Sequence, residues 1–211
     1  MTDTSPLIHV VDDDASYRTA VSRLLQASGY RVALYDSAMQ MLQKPPPAEL
    51  GCILLDVQMD GLSGLQLQER LAELGHTLPI VFLTGHADIP SSVRAIKSGA
   101  EDFLTKPAPK DVLLAAVQRA LARFRAAHEK SERTGAQHAR LATLTPRERE
   151  VFNLVVCGRL NKQIAHQLGT SERTIKAHRQ SLMQKLEVRS VAELVLFAER
   201  LGVLAAARPN P

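Results

Sequence analysis

The sequence has no tryptophan, 4% aromatic residues and two cysteines among 211 residues. Its apolar fraction of 45% is therefore mostly aliphatic, and it is enough to fill two small cores. Cys52 and Cys157 lie far apart, each among apolar neighbours. That argues against a disulfide framework and reads as two buried, reduced thiols in a cytosolic protein. No Cys/His spacing offers a zinc site. No apolar run reaches the ~18 residues that a membrane helix needs. The start, MTDTSP, carries neither a basic patch nor an apolar stretch, so no secretory leader is expected. These lacks together point to a cytoplasmic chain with no membrane partner.

What is present is unevenly charged. Residues 1–110 hold 9 Lys and Arg against 13 Asp and Glu, a net −4. Residues 111–211 hold 17 against 9, a net +8. The length suits two domains of about 100 residues each. An acidic half joined to a basic half implies two jobs, with the basic half suited to a polyanion.

The first half alternates apolar runs with helical patterns. LIHVVD (7–12), RVALYD (31–36), CILLD (52–56), PIVFLT (79–84) and DFLTK (102–106) read as strands. The third and fourth are almost wholly apolar, as strands covered on both faces are. Val21, Leu24 and Leu25 mark a first helix, Leu67, Leu71 and Leu74 another, and Val93 and Ile96 a third. Asp88 suits the N-cap of the third and Gly99 its stop. Five βα repeats predict a doubly wound parallel α/β sheet with right-handed crossovers. From Asp111 the pattern becomes helical, with Leu113, Leu114, Val117, Leu121 and Phe124 as one stripe. The polar stretch that follows, with Gly135 inside it, reads as a linker that continues the helix in part.

The last third reads as four helices. Thr145-Pro146-Arg147-Glu148 is a capping box with Pro at the first helical position, opening a helix to about Val156 that stops at Gly158. A short helix covers 161–168. A third has Ile175, Leu182 and Leu186 on one face. Ser190-Val191-Ala192-Glu193, a second capping box, opens the fourth.

Asp12, Asp13 and Asp14 crowd together where the first strand ends. In an open α/β sheet, ligands bind at the carboxyl ends of the strands. Asp12 and Asp13 follow strand one, Asp56 ends strand three, Thr84 ends strand four and Lys106 follows strand five. Taken singly, each has an ordinary use: a helix cap, a strand-end residue, a loop hydroxyl, a surface charge. Taken together, they fall at one edge of one sheet. Three carboxylates in one pocket call for a cation, and Mg²⁺ fits. The set suits phosphoryl transfer to a carboxylate. Asp14 lies closer to a helix cap than to the metal.

VVDDD, LLDVQMDGLSG and VFLTGHADIPSSVRAIKSGAEDFLTKP resemble the receiver domain of bacterial two-component response regulators, over about residues 6–125. The resemblance implies a flavodoxin-like fold, with Asp56 as acceptor of a phosphoryl group from a sensor histidine kinase. It implies Mg²⁺ held by Asp12, Asp13, Asp56 and the backbone carbonyl of Gln58. Lys106 would pair with the phosphoryl group and Thr84 would bond it, with Phe103 reorienting alongside; Phe103 is otherwise a core strand residue. The Lys106-Pro107 bond is usually cis in such domains. Asp60 and Ala108 depart from the common pattern, which has Pro and a bulky apolar residue there. Gln58 and His86 are candidates for flanking the water path to the phosphoryl group, although His86 reads equally as a loop residue without effect.

In the basic half, LTPREREVFNLVVCGRLNKQIAHQLGTSERTIKAHRQSLMQKLEVRS resembles the LuxR-type helix-turn-helix domain of NarL/FixJ-class regulators, over about residues 141–203. Carried over by position, Lys176, Ala177 and Gln180 would face bases. Lys162, Ser171, Thr174, Arg179 and Lys185 would hold phosphates. His178 is either a phosphate contact or a packing residue. Glu148 is expected to cap a helix, and Ile164, Ile175, Leu182 and Leu186 to be core.

The expected organisation is a receiver over 1–125, a partly helical linker over 126–142 and an all-α, four-helix DNA-binding domain over 143–211. The expected function is transcriptional regulation: phosphorylation of Asp56 promotes receiver pairing through Val93, Lys97 and Phe103, and a homodimer binds double-stranded promoter DNA. Release of a masked DNA-binding helix is the alternative. RNA polymerase is a candidate partner, and no catalysis beyond the chain's own phosphotransfer and dephosphorylation is expected. A metal-dependent phosphatase on the same scaffold and an adaptor for an acidic protein are the rival classes.

Overall fold

The computed structural model describes residues 5–46, 49–85 and 89–203, with the side chains of residues 89–92 outside the description. His86 and Asp88, both singled out above, lie outside it as well. The chain divides into two compact units, Met1–His128 and Glu129–Pro211.

The first unit carries five parallel strands, β1 (Leu7–Val11), β2 (Arg31–Tyr35), β3 (Gly51–Asp56), β4 (Ile80–Thr84) and β5 (Asp102–Thr105), in the order β2-β1-β3-β4-β5. Between them run α1 (Ala15–Ala27), α2 (Ala38–Gln43), α3 (Gly64–Glu73) and α4 (Ile89–Lys97). The order reverses direction between β1 and β3, so a crevice opens at their carboxyl ends. The register sets Val11 beside Leu55, which brings Asp12 and Asp56 to the mouth of that crevice.

The strand period of two divides the core. Ile8, Val10, Cys52, Leu54, Val81 and Leu83 face one side, against Val21 and Leu25 of α1 and the Leu113–Val117–Leu121 stripe. Val11, Ile53, Leu55, Ile80 and Phe82 face the other, against Met41, Leu67, Leu71 and Ala95. Burial on both sides explains why β3 and β4 lack polar alternation. Burial also pushes the Cys52 thiol up to about 12, so it is inert.

The helix α2 has no counterpart in the sequence-based expectations. Its six residues bury Ala38 and Met41 alone, too little to show a helical period, and Ser37 caps it. The helix α5 (Lys110–Ala142) runs unbroken for 33 residues, with Gly135 inside it. The expected linker segment is thus helical throughout, supported on its exposed surface by the Glu129–Arg133 pair at 3.4 Å.

The second unit holds α6 (Pro146–Val156), α7 (Asn161–Gln167), α8 (Glu172–Lys185) and α9 (Val191–Arg200). Val151, Phe152, Ile164, Ile175, Leu182, Leu186, Leu194 and Phe197 form its core. Thr145 and Glu148 complete the expected capping box of α6. The box expected at α9 is half formed: Ser190 accepts from the Glu193 amide, while the Glu193 carboxylate bonds the Arg189 amide at 2.8 Å instead. Cys157, expected to be buried, is exposed, because it sits at the C-cap of α6 where the chain leaves the core.

Candidate functional site

The carboxyl edge of the sheet gathers the residues that the sequence pattern had assembled from four strands. Asp12 is fully buried and Asp56 nearly so, while Asp13 is exposed. Carboxylate oxygens of all three lie within 4.8 Å of one another. The Lys106 Nζ reaches both buried carboxylates, Asp12 Oδ2 at 2.6 Å and Asp56 Oδ2 at 2.7 Å.

Several local bonds hold this geometry. The Asp14 amide donates to Asp12 Oδ1 at 3.0 Å, while Asp14 itself caps α1 by accepting from the Ser16 and Tyr17 amides. This gives Asp14 the capping role expected of it. Arg18 donates a guanidinium N–H to the Asp12 carbonyl oxygen. The Gln58 amide donates to Asp56 Oδ1 at 3.2 Å, and the Asp60 amide donates to Asp13 Oδ2 at the same distance. Asp60 thus ties the loop after β3 to the acidic run through its backbone. Gly64 opens α3 directly against Asp56: a Cβ there would collide with the Asp56 carbonyl oxygen. Only glycine lets the helix approach the acceptor strand this closely.

Lys106 is presented by a cis Lys106-Pro107 bond, and its amide donates to the Thr84 carbonyl oxygen at 2.7 Å. Thr84 is buried at the end of β4. Phe103 is half-buried beside Phe82, with ring centroids 6.2 Å apart. Tyr17 has no counterpart among the sequence-derived site residues. Its ring lies 4.7 Å beneath the Lys106 ammonium, a cation–π contact that no spacing in the sequence announces.

The electrostatics are unbalanced. Burial raises the Asp12 pKa, and Lys106 only partly offsets this. Burial works against the charged Lys106, but its two carboxylate partners raise its pKa overall. Asp12 Oδ2 has the ammonium as an ion-pair neighbour but no aligned hydrogen bond among the described residues. Two buried carboxylates and a third at the rim face one lysine. Such a cluster of hard oxygen donors is consistent with a divalent-cation site.

The second unit presents a different surface. Asn161 to Gln167, a turn, and then Glu172 to Lys185 form a helix-turn-helix. Lys162, Lys176, Ala177 and Gln180 are exposed. Ser171 caps α8, its hydroxyl accepting from the Thr174 amide at 3.2 Å. Arg179 donates to Asn161 Oδ1 at 2.6 Å and so links α8 to the start of α7. Lys185 pairs with Glu148 Oε2 at 2.6 Å. His178 is half-buried. Arg159 and His166, absent from the sequence-derived set, line one open hollow with Lys162.

Glu148 does more than cap. Besides the capping bond from the Thr145 amide at 2.8 Å, its carboxylate accepts from Ser181 Oγ at 2.6 Å. Burial alone would raise its pKa, but these bonds and Lys185 outweigh it and hold the group down at about 2.

A 2-1-3-4-5 parallel sheet with this acidic edge, joined to a helix-turn-helix, defines a phospho-acceptor receiver coupled to a DNA-binding module. Comparison with known proteins agrees. Residues 8–118 match the response regulator receiver domain and residues 142–198 match the luxR family of bacterial regulatory proteins. The chain is 43% identical over 202 residues to Nodulation protein W of Bradyrhizobium diazoefficiens, covering 96% of this chain and 89% of that protein. It is 39% identical over 197 residues to the transcriptional regulatory protein FixJ of the same organism, covering 93% and 96%. Among solved structures, the low-resolution structure of the response regulator StyR superposes with a TM-score of 0.84 at 42% identity, covering 93% of this chain and 99% of that one. Full-length FixJ from B. japonicum gives 0.59 at 39%, covering 95% and 99%.

The chain belongs to the NarL/FixJ family of response regulators. It is a DNA-binding transcriptional regulator controlled by an aspartyl phosphate, and its family catalyses its own phosphotransfer and no other reaction. A sensor kinase, DNA and a second copy of the chain are partners at the family level. Among the described residues, no helix is long and apolar enough to cross a membrane.

Proposed function

We propose that Asp56 is the phosphoryl acceptor and that the acidic edge works with Mg²⁺, held by Asp12, Asp13, Asp56 and the Gln58 carbonyl. The observation that carries this reading is the Lys106 ammonium bridging Asp12 and Asp56 at 2.6 and 2.7 Å. One Asp56 oxygen attacks the phosphorus of a kinase phosphohistidine. The P–N bond breaks, and its electron pair leaves with the imidazole. The metal, when bound, neutralises phosphoryl oxygens. Lys106 pairs with the incoming group, since Asp56 has exchanged its carboxylate charge for an acyl phosphate. The Thr84 hydroxyl bonds a phosphoryl oxygen, and Phe103 moves with it.

The face carrying Val93, Lys97 and Phe103 then pairs two receivers, and Val93 is already 44% exposed there. Pairing brings two helix-turn-helix units to two half-sites of promoter DNA. Lys176, Ala177 and Gln180 face bases, with Lys162, Ser171, Thr174 and Arg179 at phosphates; Lys185, the remaining phosphate candidate, is committed to Glu148. The segment 126–142 connects the receiver (1–125) to the DNA-binding domain (143–211). RNA polymerase is the partner downstream of promoter binding, and the cytoplasm is where the protein works.

The test is phosphorylation by a small-molecule phosphodonor, read on a phosphate-affinity gel. The wild-type chain takes up phosphate with Mg²⁺ present and stops when EDTA removes it. Asp56→Asn takes up none. Phosphate on Asp56→Asn at the wild-type level overturns the assignment. Sedimentation with and without beryllofluoride tests the pairing step: a monomer in both conditions overturns it and favours release of a masked helix.

A further inference from the structure

Lys106 follows β5 and reaches the acidic edge past β4, on a flexible four-carbon stem. Its backbone is anchored where its amide donates to the Thr84 carbonyl oxygen. Two carboxylates hold the ammonium at the other end, Asp12 at 2.6 Å and Asp56 at 2.7 Å. In the proposed phosphotransfer both holds are temporary: a metal takes up carboxylate oxygens, and Asp56 gives up its carboxylate charge on becoming an acyl phosphate. Among the described contacts of the ammonium, the Tyr17 ring at 4.7 Å is the one that this chemistry leaves unchanged.

Tyr17 is itself held from two directions. Asp14 caps α1 and accepts from the Ser16 amide at 2.8 Å and the Tyr17 amide at 3.1 Å, so the first turn of α1 is pinned to the acidic run. The half-buried side chain packs, like that of Ala108, against the core layer that contains Val21, Leu25 and Leu113. Burial raises the Tyr17 pKa and the Ala108 amide lowers it by less, so at neutral pH the side chain is an uncharged phenol. An uncharged aromatic face attracts a cation without neutralising it. The ammonium therefore keeps its whole charge for the phosphoryl oxygens, which a carboxylate in the same place would contest.

We propose that Tyr17 is a positioning residue for phosphoryl transfer: its ring keeps the Lys106 ammonium at the acidic edge when the carboxylates release it. Tyr17 touches none of the reacting atoms and acts through Lys106. Its effect on rate rests on the assignment of Asp56 and Lys106 to phosphoryl transfer, whereas its hold on Lys106 does not.

Lysine side-chain NMR of the full chain tests the hold without any phosphorylation. The ε-methylene protons of Lys106, assigned by their loss in Lys106→Arg, lie upfield of those of the other lysines because the ring shields them, with Mg²⁺ as without it. Tyr17→Leu returns them to the common position. A wild-type Lys106 signal at the common position in Mg²⁺ overturns the proposal. The rate of uptake from a small-molecule phosphodonor at saturating Mg²⁺ tests the consequence. Tyr17→Leu is roughly tenfold slower than the wild-type chain, and Tyr17→Phe stays within about twofold. Fluorine added to the ring of Tyr17→Phe drains its negative face with little change of volume, and slows uptake step by step. In a Lys106→Met background these changes have no further effect. A rate indifferent to fluorine, or the same losses in the Lys106→Met background, makes Tyr17 a packing residue and overturns the proposal. Uptake by Asp56→Asn at the wild-type level strikes the acceptor assignment instead, and the NMR comparison still decides whether Tyr17 holds Lys106.

Discussion

Each unit contains a buried carboxylate matched to a lysine, and the two sites behave in opposite ways. In the second unit, one carboxylate, Glu148, receives Lys185, Ser181 and Thr145 together, and its pKa falls to about 2. In the first unit, two buried carboxylates and a third nearby share Lys106, and the Asp12 pKa rises. The first arrangement is complete and stabilises the fold. The second holds an excess of negative charge that stays uncompensated until a cation or a phosphoryl group changes the balance. Ionic residues of the same types thus fix a helix in one place and leave an edge poised for chemistry in the other.

Removing the lysine from each pair separates them most sharply. Lys106→Met leaves two buried carboxylates without their cation, and breaking a buried pair in this way costs about 3–5 kcal/mol. Added Mg²⁺ should return part of that loss. Lys185 is partly exposed, so Lys185→Met should cost the second unit less, and Mg²⁺ should return nothing. All three tyrosines, Tyr17, Tyr30 and Tyr35, lie in the first unit, so tyrosine fluorescence during urea unfolding reports on that unit alone, while hydrogen exchange at the amides of α6 and α8 reports on the second. Equal losses for the two variants, both blind to Mg²⁺, would erase the distinction.

Glu148→Gln is the next largest. It keeps the shape of the side chain but turns charge-assisted bonds into neutral ones, an expected loss of about 1–3 kcal/mol in the second unit. The folded pKa of about 2 lies below the ordinary 4.5, so the unfolded chain takes up this proton first. The Glu148 contribution is whole above pH 4.5 and drains away as the pH falls toward about 2. Glu148→Gln should remove that acid sensitivity. Hydrogen exchange at the amides of α6 and α8, followed from neutral pH downward, measures it locally. An unchanged acid profile in the variant would assign the stability to packing instead.

Asp12→Asn should have a smaller effect, and of the opposite sign. Removing one carboxylate relieves the crowded edge, so the cation-free first unit should gain about 1 kcal/mol while its Mg²⁺ affinity falls at least about tenfold. A loss of stability on this substitution would mean that Lys106 already compensates the edge in full.

Much of this contrast could be read in the sequence on one side and not on the other. Asp12, Asp56, Thr84 and Lys106 stand at strand ends that the apolar runs mark, and the rule that ligands gather at carboxyl strand ends brings them together. Glu148 could be read as a cap because its partner, Thr145, is three residues away. Its other partners, Ser181 and Lys185, lie 33 and 37 residues away and depend on how α8 packs against α6. Nothing in the local pattern shows that. Tyr17 under Lys106 was hidden for the same reason. The helix α2 was hidden because six residues cannot display a period of 3.6, and the continuation of α5 because a helix that is polar all round resembles a linker.

The smallest effect concerns DNA, and it asks whether the completed pair in the second unit is also available to a ligand. Lys176 is exposed on α8, so a phosphate or base can take its whole charge. Lys185 is committed to Glu148 at 2.6 Å and also lies 3.5 Å from the Thr143 carbonyl oxygen. A cation already neutralised within the protein displaces few counterions when DNA arrives. Affinity for DNA falls with salt by about 0.9 in log–log slope for each phosphate neutralised. Lys176→Ala should therefore shallow that slope by about one unit if the residue meets a phosphate, or leave the slope and relax sequence preference if it meets a base. Lys185→Ala should leave the slope within a few tenths and change binding only through stability. Titrations of a promoter fragment over a range of salt concentrations decide between these outcomes. A full unit lost with Lys185→Ala would show that DNA pulls this lysine away from Glu148, which would make the completed pair a switch as well.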